Sequence, residues 1–196
     1  MKNSYLETIK AIDGKVFHMP YHQKRYEQVL NSAGIKEHKN LIDYLHPPTN
    51  GIYKCSLTYS NLTPHVIEIR YNKYEKRKVE SFKIVYDDKI EYSQKSANRD
   101  ELDRLFKLRE DCDDIIIVKN SFITDTSIAN IAFFDGNIWL TPKSPLLKGT
   151  TRERLLQEKK IVEADIRVDD IKNYSKVALL NAMIDFDIIT NINIKN

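Results

Sequence analysis

Apolar residues along this chain change their period again and again, and that restricts it to a mixed α and β architecture. Residues Tyr5–Ile12 alternate apolar and polar, as a half-buried strand does. Asp13-Gly14 is a hairpin turn into a second strand over Lys15–Met19. Pro20 suits the first turn of a helix, which is expected to run to Ala33 and stop at Gly34. A short helix is predicted over Leu41–Leu45, ended by Pro47-Pro48. Strands are expected at Ile52–Tyr59, His65–Tyr71 and Val79–Tyr86, spaced like an antiparallel meander.

Asp87–Gln94 is polar and turn-rich and marks a boundary between a small N-terminal α+β domain, 1–90, and a larger β-rich domain, 91–196. A helix is expected over Asn98–Glu110, with Leu102, Leu105, Phe106 and Arg109 on one face. Ile115–Lys119 is an unbroken apolar run, the mark of a strand buried on both sides. Ala129–Phe134 and Asn137–Leu140 form a hairpin across Asp135-Gly136, and Thr150–Lys159 reads as a helix. Further strands are predicted at Ile161–Val168, Lys176–Met183 and Ile188–Ile194, with a short helix near Asp169–Tyr174. Strands follow strands without regular βαβ alternation, so the fold class is α+β rather than Rossmann-like.

Composition narrows the functional classes. The 196 residues can enclose a real core, and 31 basic against 28 acidic side chains leave a net charge of only +3, too little to argue for a nucleic-acid surface. No stretch has the apolar length of a membrane span, and no signal peptide is read at the N-terminus. Cys55 and Cys112 are isolated from each other and suit a reducing cytoplasm as free thiols. None of the five glycines belongs to a GxGxxG or GxxxxGK loop, and no GxSxG elbow occurs. The histidines (His18, His22, His38, His46, His65) lack zinc-like spacing, so no metal site is expected.

Four segments are more pointed. They are Tyr21-His22-Gln23-Lys24-Arg25 early in a helix, the stretch from Tyr92 to Arg99 around Lys95, the polar patch Thr124-Asp125-Thr126-Ser127 running on to Asn130, and Leu147-Lys148-Gly149-Thr150-Thr151-Arg152 at a helix start. A glycine followed by two threonines at a helix start offers free backbone N–H groups and the positive end of the dipole, a ready phosphate site. Ordinary helix capping by Thr150 or Thr151 is the commoner source of that pattern. Alone, Lys95 reads as a solvated lysine, Asp125 as a turn residue and Arg25 as surface charge.

In this order, however, HxxR, KSxNR, TDTSIANI, WLTP and LLKGTTR resemble the class IV aminotransferase family, whose members include aminodeoxychorismate lyase and the D-amino-acid and branched-chain aminotransferases. The resemblance runs from Glu7 to about Met183 and is densest from Lys95 to Leu156. It implies a two-domain D-amino-acid aminotransferase-like fold, shortened at the N-terminus, and pyridoxal 5'-phosphate as cofactor. It makes Lys95 the catalytic lysine that carries the cofactor covalently, a role that requires an amine able to lose its proton. It sets Asp125 against the pyridine nitrogen, where the family more often has glutamate, one methylene longer. Arg25 becomes a phosphate clamp, Thr150 and Thr151 the helix start that receives the same phosphate, and Asn181 with Ala182 another phosphate-side turn. Glu7 and Thr8 match a strand that approaches the lysine, while Leu6 stands where D-amino-acid transaminases tend to have tyrosine. The TDTSIANIAF and WLTPKSPLLKGT stretches are most similar to the lyase branch of folate biosynthesis. The expected reaction is conversion of 4-amino-4-deoxychorismate to 4-aminobenzoate and pyruvate by a cytoplasmic homodimer. The alternatives are transamination of a small amino acid and a relative with little turnover.

Overall fold

The structure is a computed structural model that describes residues 4–61 and 67–195. The chain divides into two compact units, residues 1–76 with 94–98 and residues 77–93 with 99–196. This differs from a single cut after residue 90. The five residues around Lys95 pack with the first unit, although the chain on either side of them belongs to the second.

In the first unit, β1 (Ser4–Ile12), β2 (Lys15–Val16), α1 (Met19–Ser32), β3 (Ile52–Ser60) and β4 (Ile67–Lys73) follow in order, with a 3-10 turn at Leu41–Tyr44. The strands form an antiparallel sheet, β2-β1-β3-β4. The expected start of β4 at His65 lies outside the described residues. Alternation in β1 buries Tyr5, Glu7, Ile9 and Ala11 on one face. Helix α1 meets that sheet through His22, Tyr26, Val29 and Leu30, the i, i+4, i+7, i+8 stripe of an amphipathic helix. Pro20 lies in its first turn, and Gly34 just beyond it takes φ +80°, a left-handed conformation that glycine adopts without a Cβ clash.

The second unit contains β5 (Ser81–Tyr86), α2 (Asp100–Phe106), β6 (Asp114–Lys119), β7 (Phe122–Thr126), β8 (Asn130–Phe134), β9 (Trp139–Pro142), α3 (Thr150–Gln157), β10 (Val162–Ala164), β11 (Lys176–Asn181), β12 (Asp185–Ile189) and β13 (Asn193–Lys195). Most form one path, β10-β9-β8-β7-β6-β5-β13, while β11 lies on β8 and β12 on β11. Strand β6 is buried on both faces as expected: Ile116 and Val118 enter one core with Phe82, Ile131 and Phe133, and Ile115 and Ile117 enter another with Leu102 and Leu105. A third cluster joins Ala132, Ala178 and Leu180 to Leu155 of α3.

Three expectations are corrected here. Strand β5 pairs in parallel with β6 and β13, so the meander ends at β4. The run Ile188–Ile194 is two strands, β12 and β13, which pair with different partners. The patch before Ser127 is itself a strand, β7, whose Thr124, Asp125 and Thr126 are buried polar side chains that conceal the usual apolar signature. Among the described residues no helix is long and apolar enough to cross a membrane, and no group of His, Cys, Asp and Glu is arranged to hold a metal ion.

Candidate functional site

Lys95 lies along the edge of β1. Its carbonyl accepts the Leu6 N–H at 2.9 Å, Ser96 forms a bridge with Tyr5, and the Ala97 N–H donates to the Ser4 carbonyl at 2.8 Å. Two of β1's backbone positions thus fasten the segment, and the Lys95 side chain is half-buried.

On the covered face of the same strand lies a charged cluster. Glu7 is fully buried, and Arg25 grips it through both carboxylate oxygens, Nε to Oε1 at 2.7 Å and Nη2 to Oε2 at 2.5 Å. His22 Nδ1 bonds Oε2 at 2.6 Å. Burial alone would push the Glu7 carboxyl up, but the Arg25 charge and the hydrogen bonds from His22 and Arg25 outweigh it and hold the pKa at about 2. Arg25, expected as a phosphate clamp, is therefore bound to a carboxylate in this unit. Composition alone does not reveal the cluster. The sequence signal for it is a lone glutamate on the apolar face of β1 with His22 and Arg25 three residues apart on α1.

In the second unit, Asp125 and Asn130 face each other across β7 and β8. The Asn130 amide donates to Asp125 Oδ1 at 2.6 Å and to the Leu147 carbonyl at 2.7 Å, and the Leu147 N–H donates to Asp125 Oδ2 at 2.9 Å. Burial raises the Asp125 pKa to about 7, with the Leu147 N–H, Asn130 and the Arg152 charge pulling the other way. Its bonded partners here, the Asn130 amide and the Leu147 N–H, are neutral donors.

Two residues downstream, Gly149 is the N-cap of α3, and no side chain caps the helix. Capping by Thr150 or Thr151 is thereby ruled out; both are buried first-turn residues, and the first-turn N–H groups of a helix have no carbonyl within it to bond. Gly149 is required by space: a Cβ there would lie 2.1 Å from Asn130 Oδ1. The Asn130 amide is already tied to Asp125 and Leu147, so Gly149→Ala is expected to cost about 1–3 kcal/mol through forced overpacking. A melting temperature equal to the parent's would mean that Asn130 yields freely.

Asn181, at the end of β11, uses Oδ1 to accept the Met183 and Ile184 N–H groups and Nδ2 to donate to the Ile128 carbonyl at 3.3 Å. It joins two turns of the unit. A cavity of about 460 Å³ in this unit is walled partly by Ile123, Thr124 and Leu146, the neighbours of Asp125 and Leu147.

Residues 57–192 match the family model of the amino-transferases of class IV. An uncharacterised protein of Haemophilus influenzae is 39% identical over 184 residues, covering 90% of this chain and 96% of its own. A provisionally named aminodeoxychorismate lyase of Schizosaccharomyces pombe is 39% identical over 66 residues, 31% of this chain and 29% of its own. The crystal structure of a provisionally named 4-amino-4-deoxychorismate lyase from Haemophilus somnus 129pt superposes with a TM-score of 0.82 at 34% identity, over 92% of this chain and 96% of that one. The anticipated fold-type IV architecture is thus the fold found. With a matching family model over residues 57–192 and a relative 39% identical over 90% of the chain, the chain belongs to the class IV amino-transferase family and is an enzyme of that class.

Proposed function

We propose that this chain is a pyridoxal 5'-phosphate enzyme that converts 4-amino-4-deoxychorismate to 4-aminobenzoate and pyruvate. The observation that carries the cofactor assignment is Asp125: a buried carboxyl with its pKa raised to about 7, bonded to neutral donors, in the same unit as the Gly149-Thr150-Thr151 helix start. A cationic nitrogen suits the first feature and a phosphate the second. Lys95 is assigned as the residue that holds the cofactor covalently, and Arg25, Thr150, Thr151 and Asn181 as its phosphate-side partners. When bound, pyridoxal 5'-phosphate supplies an aldehyde that captures amines and a ring that draws electrons from the bonds beside them.

Each residue then has a definite task. Asp125, ionised, keeps the ring nitrogen protonated. Arg25, oriented by Glu7, and the N–H groups of the helix start would neutralise phosphate charge. Lys95 would hold the cofactor and, as a free amine beside the bound substrate, would take the proton from the amine-bearing ring carbon. Departure of the enolpyruvyl group makes the ring aromatic, and a proton returned to its methylene carbon completes pyruvate.

The assay is direct. Supplied with 4-amino-4-deoxychorismate, the protein is expected to release aromatic product and pyruvate in equal amounts with no keto acid present. Amine exchange between a small amino acid and a keto acid, without pyruvate release from the chorismate compound, would establish the transaminase alternative, which the family's name favours.

Asp125→Asn keeps the size and removes the charge. Hydrogen bonds to charged groups contribute about 1.5–3 kcal/mol, so cofactor binding is expected to weaken by roughly 10- to 100-fold in equilibrium dialysis. Affinity equal to the parent's would remove Asp125 from the site. We further infer a homodimer in a reducing, cytoplasmic setting, which suits the free, buried Cys55 and Cys112. Sedimentation that finds only monomer at micromolar concentration would contradict the dimer.

A further inference from the structure

The turn Thr126–Ala129 links Asp125 to Asn130. Strands β7 and β8 pair at a single position, Asp125 with Asn130, so the ladder by itself does little to hold that spacing. Within the turn, the Thr126 N–H donates to the Ala129 carbonyl at 2.9 Å, and Thr126 Oγ1 accepts the Ala129 N–H at 3.1 Å. Three side chains hold the turn from outside. Arg99 Nη2 donates to the Ser127 carbonyl at 2.8 Å, Asn181 Nδ2 donates to the Ile128 carbonyl at 3.3 Å, and Asp114 Oδ1 accepts the Ser127 N–H at 3.4 Å.

Asp114 is the unusual member. It opens the otherwise apolar strand β6 and is fully buried. Its Oδ1 also accepts the Ile115 N–H at 2.8 Å, but Oδ2 has no hydrogen-bond partner, with Arg77 Nη2 3.6 Å away. Ser127 Oγ is likewise buried and unpartnered. An incompletely paired buried carboxyl is a standing cost to the fold. An apolar residue would avoid it at this position but would give the turn no acceptor.

We propose that Asp114, together with Arg99 and Asn181, is a positioning residue for Asp125: by pinning the Thr126–Ala129 turn it sets the spacing of Asp125 and Asn130 and so the direction in which the carboxyl points. This rests on the assignment of Asp125 to the cofactor's ring nitrogen. Displacing the turn loosens the Asn130 hydrogen bond that favours the Asp125 carboxylate. The charge acting on Asp125 from the packed elements is Arg152 of α3.

The test is equilibrium binding of pyridoxal 5'-phosphate to protein stripped of it, from about pH 5 to about pH 9, for the parent, Asp114→Ala, Asp114→Asn and Arg99→Ala. Parent affinity should fall as pH drops through the Asp125 midpoint, near 7. Asp114→Ala and Arg99→Ala should weaken binding about tenfold at neutral pH and move the midpoint upward by about one unit. Asp114→Asn keeps an Oδ1 acceptor and should restore both. A folded Asp114→Ala protein with the parent's midpoint and affinity overturns the proposal. So does Asp114→Asn behaving like Asp114→Ala. If Asp114→Ala does not fold, Arg99→Ala decides, because its side chain is partly exposed: an unchanged midpoint there overturns the proposal. A parent that binds no cofactor at any pH refutes the Asp125 assignment itself, and the positioning role falls with it.

Discussion

Lys95→Ala is expected to yield a protein that sodium borohydride no longer labels with cofactor and whose turnover is lower by about 10²- to 10⁴-fold, the range for loss of a positioned acid-base group. The backbone ties of the segment survive the change. Lys95 is tied to β1 through its carbonyl, and the neighbouring ties run through Ser96 and Ala97, all of which alanine preserves. Mass spectrometry after reduction gives the readout: one cofactor mass on the Lys95 peptide of the parent and none on the variant. A variant that keeps a reducible cofactor would move the covalent link to another lysine.

Glu7→Ala should be the most destabilising of the changes considered. It removes the carboxylate that both Arg25 and His22 bond, and His22 is almost wholly enclosed. Breaking a buried pair by deleting one partner typically costs about 3–5 kcal/mol, because the remaining charge is left without compensation. Against a total stability of about 5–15 kcal/mol, that is a large share. Urea unfolding measures it, and a loss below about 1 kcal/mol would mean that water reaches Arg25 and takes the carboxylate's place.

The same cluster shapes the pH response. Glu7 titrates at about 2 in the folded protein against an ordinary 4.5, so its contribution is complete above about pH 4.5 and is lost as pH falls from there toward 2. Asp125 works in the opposite sense. Its pKa rises from 3.8 to about 7, so the stability gained from its protonated form is full below about pH 3.8 and is lost as pH rises through 7. Burial raises Asp114 too, and that acts in the same direction as Asp125. For the protein stripped of cofactor, these groups favour greatest stability near about pH 4–5, and Asp125→Asn should flatten the limb between about pH 4 and 7. A limb that persists unchanged in the variant would assign it to another group.

Local pattern made much of the fold legible. The alternation in β1, the proline and glycine that bracket α1, and the apolar run of β6 are consequences of near-neighbour chemistry, and each element was found where that chemistry put it. Strand β7 was missed because its buried residues are polar, and their hydrogen-bond partners lie far along the chain: Leu147 for Asp125 and Ile117 for Thr124. The β5 partner was misassigned because spacing reports how close strands are in sequence, whereas the parallel pairing with β6 depends on which core each face can enter.

The site divides along the same line. The order of motifs in the sequence was enough to indicate the family, and that resemblance, rather than any residue by itself, makes Lys95, Asp125 and the Gly149-Thr150-Thr151 helix start the candidates. Only the tertiary structure decided the surroundings that give those residues their properties. It brought Glu7 against Arg25 and His22, raised Asp125 to about 7 by enclosing it, and made Gly149 obligatory by setting Asn130 against it. A motif records which groups are present. Desolvation and hydrogen bonding, which set how those groups ionise, arise only when distant segments close around them.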